Sequence, residues 1–381
     1  KMSHCNNRTT SISVQDPASI PAPKIALLLL IMEKKTPANT PAFTSNKNLS
    51  PDHPDPVNPD ARLPDREPLD IKQIGWWRHL PAPVHPYFYL ARFDRPIGSW
   101  LLLMPAWWVT PAASAQSGSA INPVKTAWLM LLFLIGAVVT RAAGCVINDM
   151  WDRRLDQNVE RTAKRPLAAG KITMTGALFF LAALSLVGLY ILVQLPLAAI
   201  ITGFAAVPLV ILYPLAKRVT WWPQAVLGLT FSWGVPLGWT ATTGQIPTPD
   251  LLPDLLIIYA GSICWVFGYD TIYAVQDMAD DALVGVKSAA LGLGRFLHHG
   301  VGCAYLLAVL FLGAGLFRLL GPGIWMAGLT FAAAHFIWQV RLLDADDPAG
   351  AGYLFKSNRD AGLLLSAGIT GDMIVRYFIA L

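Results

Sequence analysis

The sequence predicts an all-α fold: a polytopic membrane helical bundle of about nine transmembrane helices. Three observations predict it. Hydrophobic residues make up 54% of the 381 positions and charged residues only 14%, with a mean hydropathy of +0.46. A soluble domain carries roughly 25% charged residues, so lipid must cover much of this surface. From residue 97 onward the apolar residues gather into runs near the ~20 residues that a bilayer core requires. The runs are continuous and do not alternate, which excludes an outer-membrane barrel. An ordinary cytosolic domain and a wholly disordered chain are excluded with it.

Residues 1–75 read as a disordered polar tail rich in Pro, Ser, Thr and Asn, which cannot bury enough apolar surface to offset its chain entropy. Its one apolar run, Ile25 to Met32, is too short to span and is followed by Glu33, Lys34 and Lys35 with no small-residue cleavage pattern. The tail is not Arg-rich and contains Asp16 and Glu33, a poor match to a mitochondrial transit peptide. Residues 76–96 are juxtamembrane, and the membrane domain covers 97–381.

The spans follow in order. The first, 97–115, comes after Arg92 and Arg95. The second, 124–147, runs out into 148–173, which holds Arg153, Arg154, Arg161, Lys164, Arg165 and Lys171. Spans 174–194 and 196–216 are divided only near Pro196, and Lys217 and Arg218 precede the fifth, 223–243. Lys287 and Arg295 follow the sixth, 251–275. Spans 297–319 and 322–340 meet near Gly321; Arg341, Lys356 and Arg359 separate them from 361–380. The alternate connections 116–123 and 244–250 carry no Lys or Arg. Basic loops mark the cytoplasmic side, so the N-terminus is expected there and the C-terminus across the membrane, which requires an odd count. The net charge of +5 is accounted for by such loops. No basic stripe with interleaved aromatics points to nucleic acid. Cys145, Cys264 and Cys303 lie in apolar stretches and Cys5 in the tail, with no CxxC pair; the apolar three read as packing residues.

Acidic residues cluster twice. Asn148, Asp152 and Asp156 are spaced i, i+4, i+8 and share one helical face, with Asp149 beside them. Asp277 and Asp281 repeat the i, i+4 spacing, and Asp270 lies two turns earlier near the same face. One such cluster alone reads as solvated loop charge. Two, at helix ends on the same side, argue for a cation, because stacked carboxylates repel unless one holds them. Mg²⁺ suits one or two carboxylates together with substrate phosphates. Two opposed acidic faces make a clamp for a metal-bound diphosphate, with Lys164 and Arg165 on phosphate oxygens. No Ser, Cys or His is placed as a nucleophile, and His335 reads as a packing or helix-contact residue. Arg141, two turns before Asn148, sits within a span, where an Arg costs about 2.5–3.5 kcal/mol on insertion scales; it is expected to pair with a cavity carboxylate. Arg95, beside Asp94, reads equally as an interface anchor or a cavity residue.

The stretch 148–156 reads NDxxDxxxD, and 277–281 lies inside "DxxYAxxDxxDD". With "RFDRPIGSWLLL" at 92–103, "RAAGCVIND" at 141–149, "RTAKRPL" at 161–167, "YPLAKRVTWWPQ" at 213–224 and "GVKS" at 285–288, the chain resembles the membrane-embedded aromatic prenyltransferases over residues 86–381. The resemblance implies an acidic, cytoplasm-facing cavity opening sideways to lipid. It implies Mg²⁺ and a diphosphate held by Asn148, Asp152, Asp156, Asp277 and Asp281. It implies polyprenyl diphosphate as donor, 4-hydroxybenzoate as acceptor and ubiquinone synthesis as the setting. Asp149, Arg141, Lys164, Arg165, Tyr213, Lys217 and Asp270 are expected to contact substrate. Arg218 is expected to grip the acceptor carboxylate, since a guanidinium fork holds one by two bonds. Metal chemistry does not separate this from relatives acting on haem, chlorophyllide, homogentisate or dihydroxynaphthoate. The DGxxAR opening of CDP-alcohol phosphotransferases is absent. A transporter would place its charges near the midplane, whereas these lie at helix ends. The expected location is a bacterial inner membrane, with the mitochondrial inner membrane as the alternative.

Overall fold

The computed structural model describes residues 75–116, 121–157 and 162–380. The polar tail, 1–75, lies outside the described residues apart from Gly75. Every regular element among the described residues is helical. In chain order the α-helices are α1 (His85–Leu90), α2 (Ile97–Ala115), α3 (Pro123–Asp156), α4 (Met174–Leu192), α5 (Leu197–Leu212), α6 (Ala216–Val219) and α7 (Pro223–Phe231). They continue with α8 (Gly234–Thr243), α9 (Leu252–Ala274), α10 (Met278–Val284), α11 (Ala289–Leu293), α12 (Leu297–Leu320), α13 (Trp325–Leu342) and α14 (Pro348–Ala380).

α2 stands at the centre, packed against α3, α8 and α14. Leu101, Met104, Trp108 and Val109 on it are buried, and Trp108 Nε1 donates to the Gly362 carbonyl at 3.1 Å. The α2–α8 seam is close because Gly234 and Gly238 have no side chain: a Cβ on Gly234 would stand 2.7 Å from the Ala106 nitrogen. Small residues that let backbones approach are how helices associate where lipid removes the hydrophobic drive. α9 packs on α12, and α13 on α14. Polar side chains at these seams are bonded to one another. Asn358 Oδ1 accepts from Trp265 Nε1 and from the Tyr305 hydroxyl, both at 3.1 Å. His335 Nε2 meets Ser357 Oγ at 3.1 Å, so it is a helix-contact residue.

Among the described residues six helices are long and apolar enough to cross a membrane. They correspond to the second, third, fourth, sixth, seventh and ninth predicted spans. The other three predicted spans are also helical but miss that standard, so the count of nine is not established by length and composition. The reasons are physical. α2 carries Pro105 and Pro111 and several Trp, and its burial among other helices spares it from facing lipid. The fifth span is broken into α7 and α8 around Ser232–Trp233. α13 carries Gln339 and His335 on its α14 side. Boundaries shift too. α3 carries the first acidic motif on helix as far as Asp156, and α14 begins at Pro348, well before residue 361. α4 and α5 expose Phe179, Leu186, Tyr190, Ile201 and Phe204, a surface that suits acyl chains and not water.

Candidate active site

One cavity of about 370 Å³ opens where the two acidic motifs meet. α3 contributes Asn148, Asp149 and Asp156; the turn before α10, and α10 itself, contribute Asp277 and Asp281. Arg92, Arg95, Arg165, Lys217 and Lys287 line the same end. The opposite end is built from Arg141, Phe231, Tyr269, Asp270, Tyr273 and Phe355. Arg141 precedes Asn148 by seven residues, so α3 sets the two ends about 10 Å apart.

At the acidic end, cations already occupy the first motif. Arg92 Nη2 donates to both oxygens of Asp149, at 2.8 and 3.1 Å, from a residue whose φ of 59° lies in the left-handed region. Such a conformation in a non-glycine residue is costly and persists where surrounding contacts over-determine it; here the Asp149 bonds and the Nη1 bond to the Tyr89 carbonyl at 3.0 Å hold it. Arg165 Nη1 bridges to Asp156 at 2.9 and 3.1 Å and lies 3.5 Å from Asp149. Burial pushes the Asp156 carboxyl above its ordinary range, more than Arg165 pulls it down. Two connecting segments are tied together beside this end: the Lys287 backbone N–H donates to the Lys217 carbonyl at 3.3 Å, and its Nζ to the Val219 carbonyl at 3.2 Å.

At the aromatic end, the Arg141 guanidinium lies over the Phe231 ring, 5.7 Å from its centroid. A Cβ on Gly98 would collide with Arg141 Nε, so glycine leaves the space this side chain fills. Among the described residues Arg141 has no hydrogen bond or ion pair. Tyr273 packs on Phe355 with centroids 4.7 Å apart, and Tyr269 on Trp265 at 4.9 Å.

Most of the residues singled out from sequence meet here, and three do not. Asp152 is buried but is not on the cavity wall. Lys217 covers it from one side, and Arg218 lies 3.3 Å away on the other. Arg218, expected to face a substrate carboxylate, is half exposed and gives Nη2 to Asp152 and, at 3.1 Å, to the Trp151 carbonyl. Lys164 is exposed and off the wall. Arg141 lines the cavity with Asp270, but the expected carboxylate pairing is not made. Arg92 and Lys287, read from sequence only as loop charges, are cavity residues, and Arg95 is one as well. The signal for them was present in the "RFDRPIG" and "GVKS" stretches. For a divalent cation the donor chemistry fits, since hard amide and carboxylate oxygens from two helices reach one cavity. Among the described residues no three acidic, His or Cys side chains converge into a ready cage.

A family model described as the UbiA prenyltransferase family matches residues 102–359. The chain is 42% identical over 290 residues to a protein of Aedes aegypti named 4-hydroxybenzoate polyprenyltransferase, mitochondrial; the match covers 75% of this chain and 63% of that one. It is 42% identical to a Rattus norvegicus protein of the same name, over 79% of this chain and 78% of the other. It is 39% identical to 4-hydroxybenzoate geranyltransferase 2 of Lithospermum erythrorhizon, over 78% and 94%. Among solved structures, an apo UbiA homolog from Aeropyrum pernix K1 shares the fold with a TM-score of 0.60 at 24% identity, over 72% of this chain and 98% of that one. A UbiA homolog from Archaeoglobus fulgidus bound to GPP and Mg²⁺ does so at 0.53 and 16%, over 77% and 99%. With a family model matching well over half its length and relatives near 40% identity along most of it, the chain belongs to the UbiA prenyltransferase family.

Proposed function

We propose that the protein transfers a polyprenyl group from polyprenyl diphosphate to the ring carbon ortho to the hydroxyl of 4-hydroxybenzoate, in ubiquinone synthesis. The observation that carries this reading is the pairing of ends within one cavity. A cation- and carboxylate-rich mouth suits a diphosphate, and an aromatic floor with an Arg that has no ion pair among the described residues suits an aromatic acid. The names of the relatives support the same acceptor.

Arg141 takes the role first given to Arg218. A carboxylate entering an apolar site without a counter-charge leaves its desolvation uncompensated, and Arg141 offers a guanidinium with no competing partner among the described residues. At the mouth, Arg92, Arg165, Lys217 and Lys287 meet the phosphate oxygens. Asn148, Asp156, Asp277 and Asp281 would hold Mg²⁺, which when bound supplies positive charge to the departing diphosphate. The residues act on charge that develops as the allylic C–O bond breaks, and each such preorganised donor is typically worth about 3–4 kcal/mol. The ring carbon beside the phenol oxygen then bonds to the prenyl carbon, and the proton it carried leaves. Tyr269, Tyr273, Phe231 and Phe355 keep water from the allylic cation.

The membrane is an energy-transducing inner membrane. The relatives' names favour the mitochondrial one over the bacterial plasma membrane expected from sequence. The reading keeps residues 97–381 as the membrane domain, with the N-terminus on the side of the acidic motifs. Reconstitution in liposomes with both substrates tests it. The expected product is 4-hydroxybenzoate carrying one polyprenyl group next to the hydroxyl. Uptake of either substrate without a new carbon–carbon bond would support a transporter.

A further inference from the structure

Gln224 is a buried polar side chain that the reaction above does not use. It opens α7 directly after Pro223, is 4% exposed, and lies on the cavity wall. Its Oε1 accepts the Ala289 backbone N–H at 2.9 Å. That bond fixes the orientation of the amide. A backbone N–H can only donate, so the oxygen faces Ala289 and the NH₂ is turned away from it. Among the described residues Nε2 makes no hydrogen bond, and it is open to the cavity that Gln224 lines rather than sealed in the protein. A substrate oxygen would satisfy it.

Position selects which oxygen. Phe231, whose ring lies under Arg141, follows Gln224 by seven residues. α7 therefore sets Gln224 about 10 Å from the Arg141 level, at the end where Ser288 and Lys287 line the cavity. An aromatic acid held by its carboxylate on Arg141 extends its para oxygen in that direction. The diphosphate is already met by full cations, beside which a neutral amide adds little. We propose that Gln224 Nε2 donates a hydrogen bond to the phenol oxygen of the acceptor. The bond turns the ring so that its ortho carbon faces the prenyl donor, and it makes Gln224 a specificity-determining contact for para-hydroxylated acids. This rests on the function proposed above.

The test compares 4-hydroxybenzoate with benzoate, a competitor that lacks only the phenol oxygen. Gln224→Met removes donor and acceptor at similar length, and Gln224→Glu keeps the oxygen that Ala289 needs. In Gln224→Met KM for 4-hydroxybenzoate should rise about tenfold, the scale of one hydrogen bond, while the benzoate inhibition constant moves by less than about twofold; in Gln224→Glu, whose second oxygen can accept the phenol O–H, the rise should be smaller. KM for the diphosphate should hold in Gln224→Met. Equal weakening of benzoate and 4-hydroxybenzoate would mean that Gln224 only braces the 285–289 segment, and would overturn the proposal. A shift confined to the diphosphate, or no shift at all, would overturn it too. Wild-type protein that fails to prenylate 4-hydroxybenzoate would sink the function itself, and that result is seen before any variant is made.

Discussion

Arg218 lies 3.3 Å from Asp152, while Arg141 faces the aromatic end of the cavity with no ion pair among the described residues. The two arginines therefore give opposite expectations. Arg141→Ala should weaken use of 4-hydroxybenzoate by about 1.5–3 kcal/mol, the scale of a lost charged hydrogen bond, with little change for the prenyl diphosphate. Arg218→Ala breaks a pair that is half exposed on the Arg side, and such pairs contribute roughly 0–1 kcal/mol. Apparent constants for both substrates in both variants check this. An acceptor defect in Arg218→Ala alone would restore the reading made from sequence.

The Arg92–Asp149 pair is more deeply buried, with side-chain exposures of 13% and 1%. Removing one partner of such a pair strands a charge and typically costs about 3–5 kcal/mol. Arg165, 3.5 Å from Asp149, should hold the cost of Arg92→Ala near the lower bound. Combining it with Asp149→Asn should recover part of the loss, because no buried charge is then left over. Thermal unfolding in detergent or nanodiscs of the two single variants and the double checks this. Strict additivity would show that the two residues are not coupled.

Asp277 and Asp281 line the cavity, whereas Asp152 does not. Asp277→Ala and Asp281→Ala are expected to abolish most turnover and to move the Mg²⁺ dependence to higher concentration. Asp152→Ala is expected to lower turnover without that shift, since Asp152 is off the cavity wall and is covered by Lys217. Titrating Mg²⁺ against rate for the three proteins separates these outcomes. A Mg²⁺ shift in Asp152→Ala would put that carboxylate back among the ligands.

The helical fold and the acidic end of the site were legible because they rest on local rules. Apolar run length, basic loops and i, i+4 carboxylates need no tertiary knowledge. What stayed hidden depends on distant chain. Nothing near Asp152 says that Lys217 and Arg218, some 65 residues away, will cover it. Arg92 and Lys287 look like ordinary loop charges until the fold carries them to the cavity. Gln224 reads as one more residue at the start of the fifth span until Ala289 orients it. The helix α2 reads as a weak span for a related reason: hydropathy rewards contact with lipid, and this helix is buried among other helices.

Topology has its own test. A reporter fused after Leu381 should lie across the membrane from one inserted in the 158–170 loop, as the asymmetry of Lys and Arg requires. Reporters on one side would mean an even number of crossings, with the broken α7–α8 pair the first place to look.

The most direct measurement of the central claim is prenyl transfer by purified, reconstituted protein offered polyprenyl diphosphate and equal amounts of 4-hydroxybenzoate, homogentisate and dihydroxynaphthoate, with Mg²⁺ and then with excess chelator. The account predicts prenylated 4-hydroxybenzoate as the main product and no turnover once the divalent ion is removed. Preferred prenylation of another acceptor, or full turnover in chelator, would contradict it.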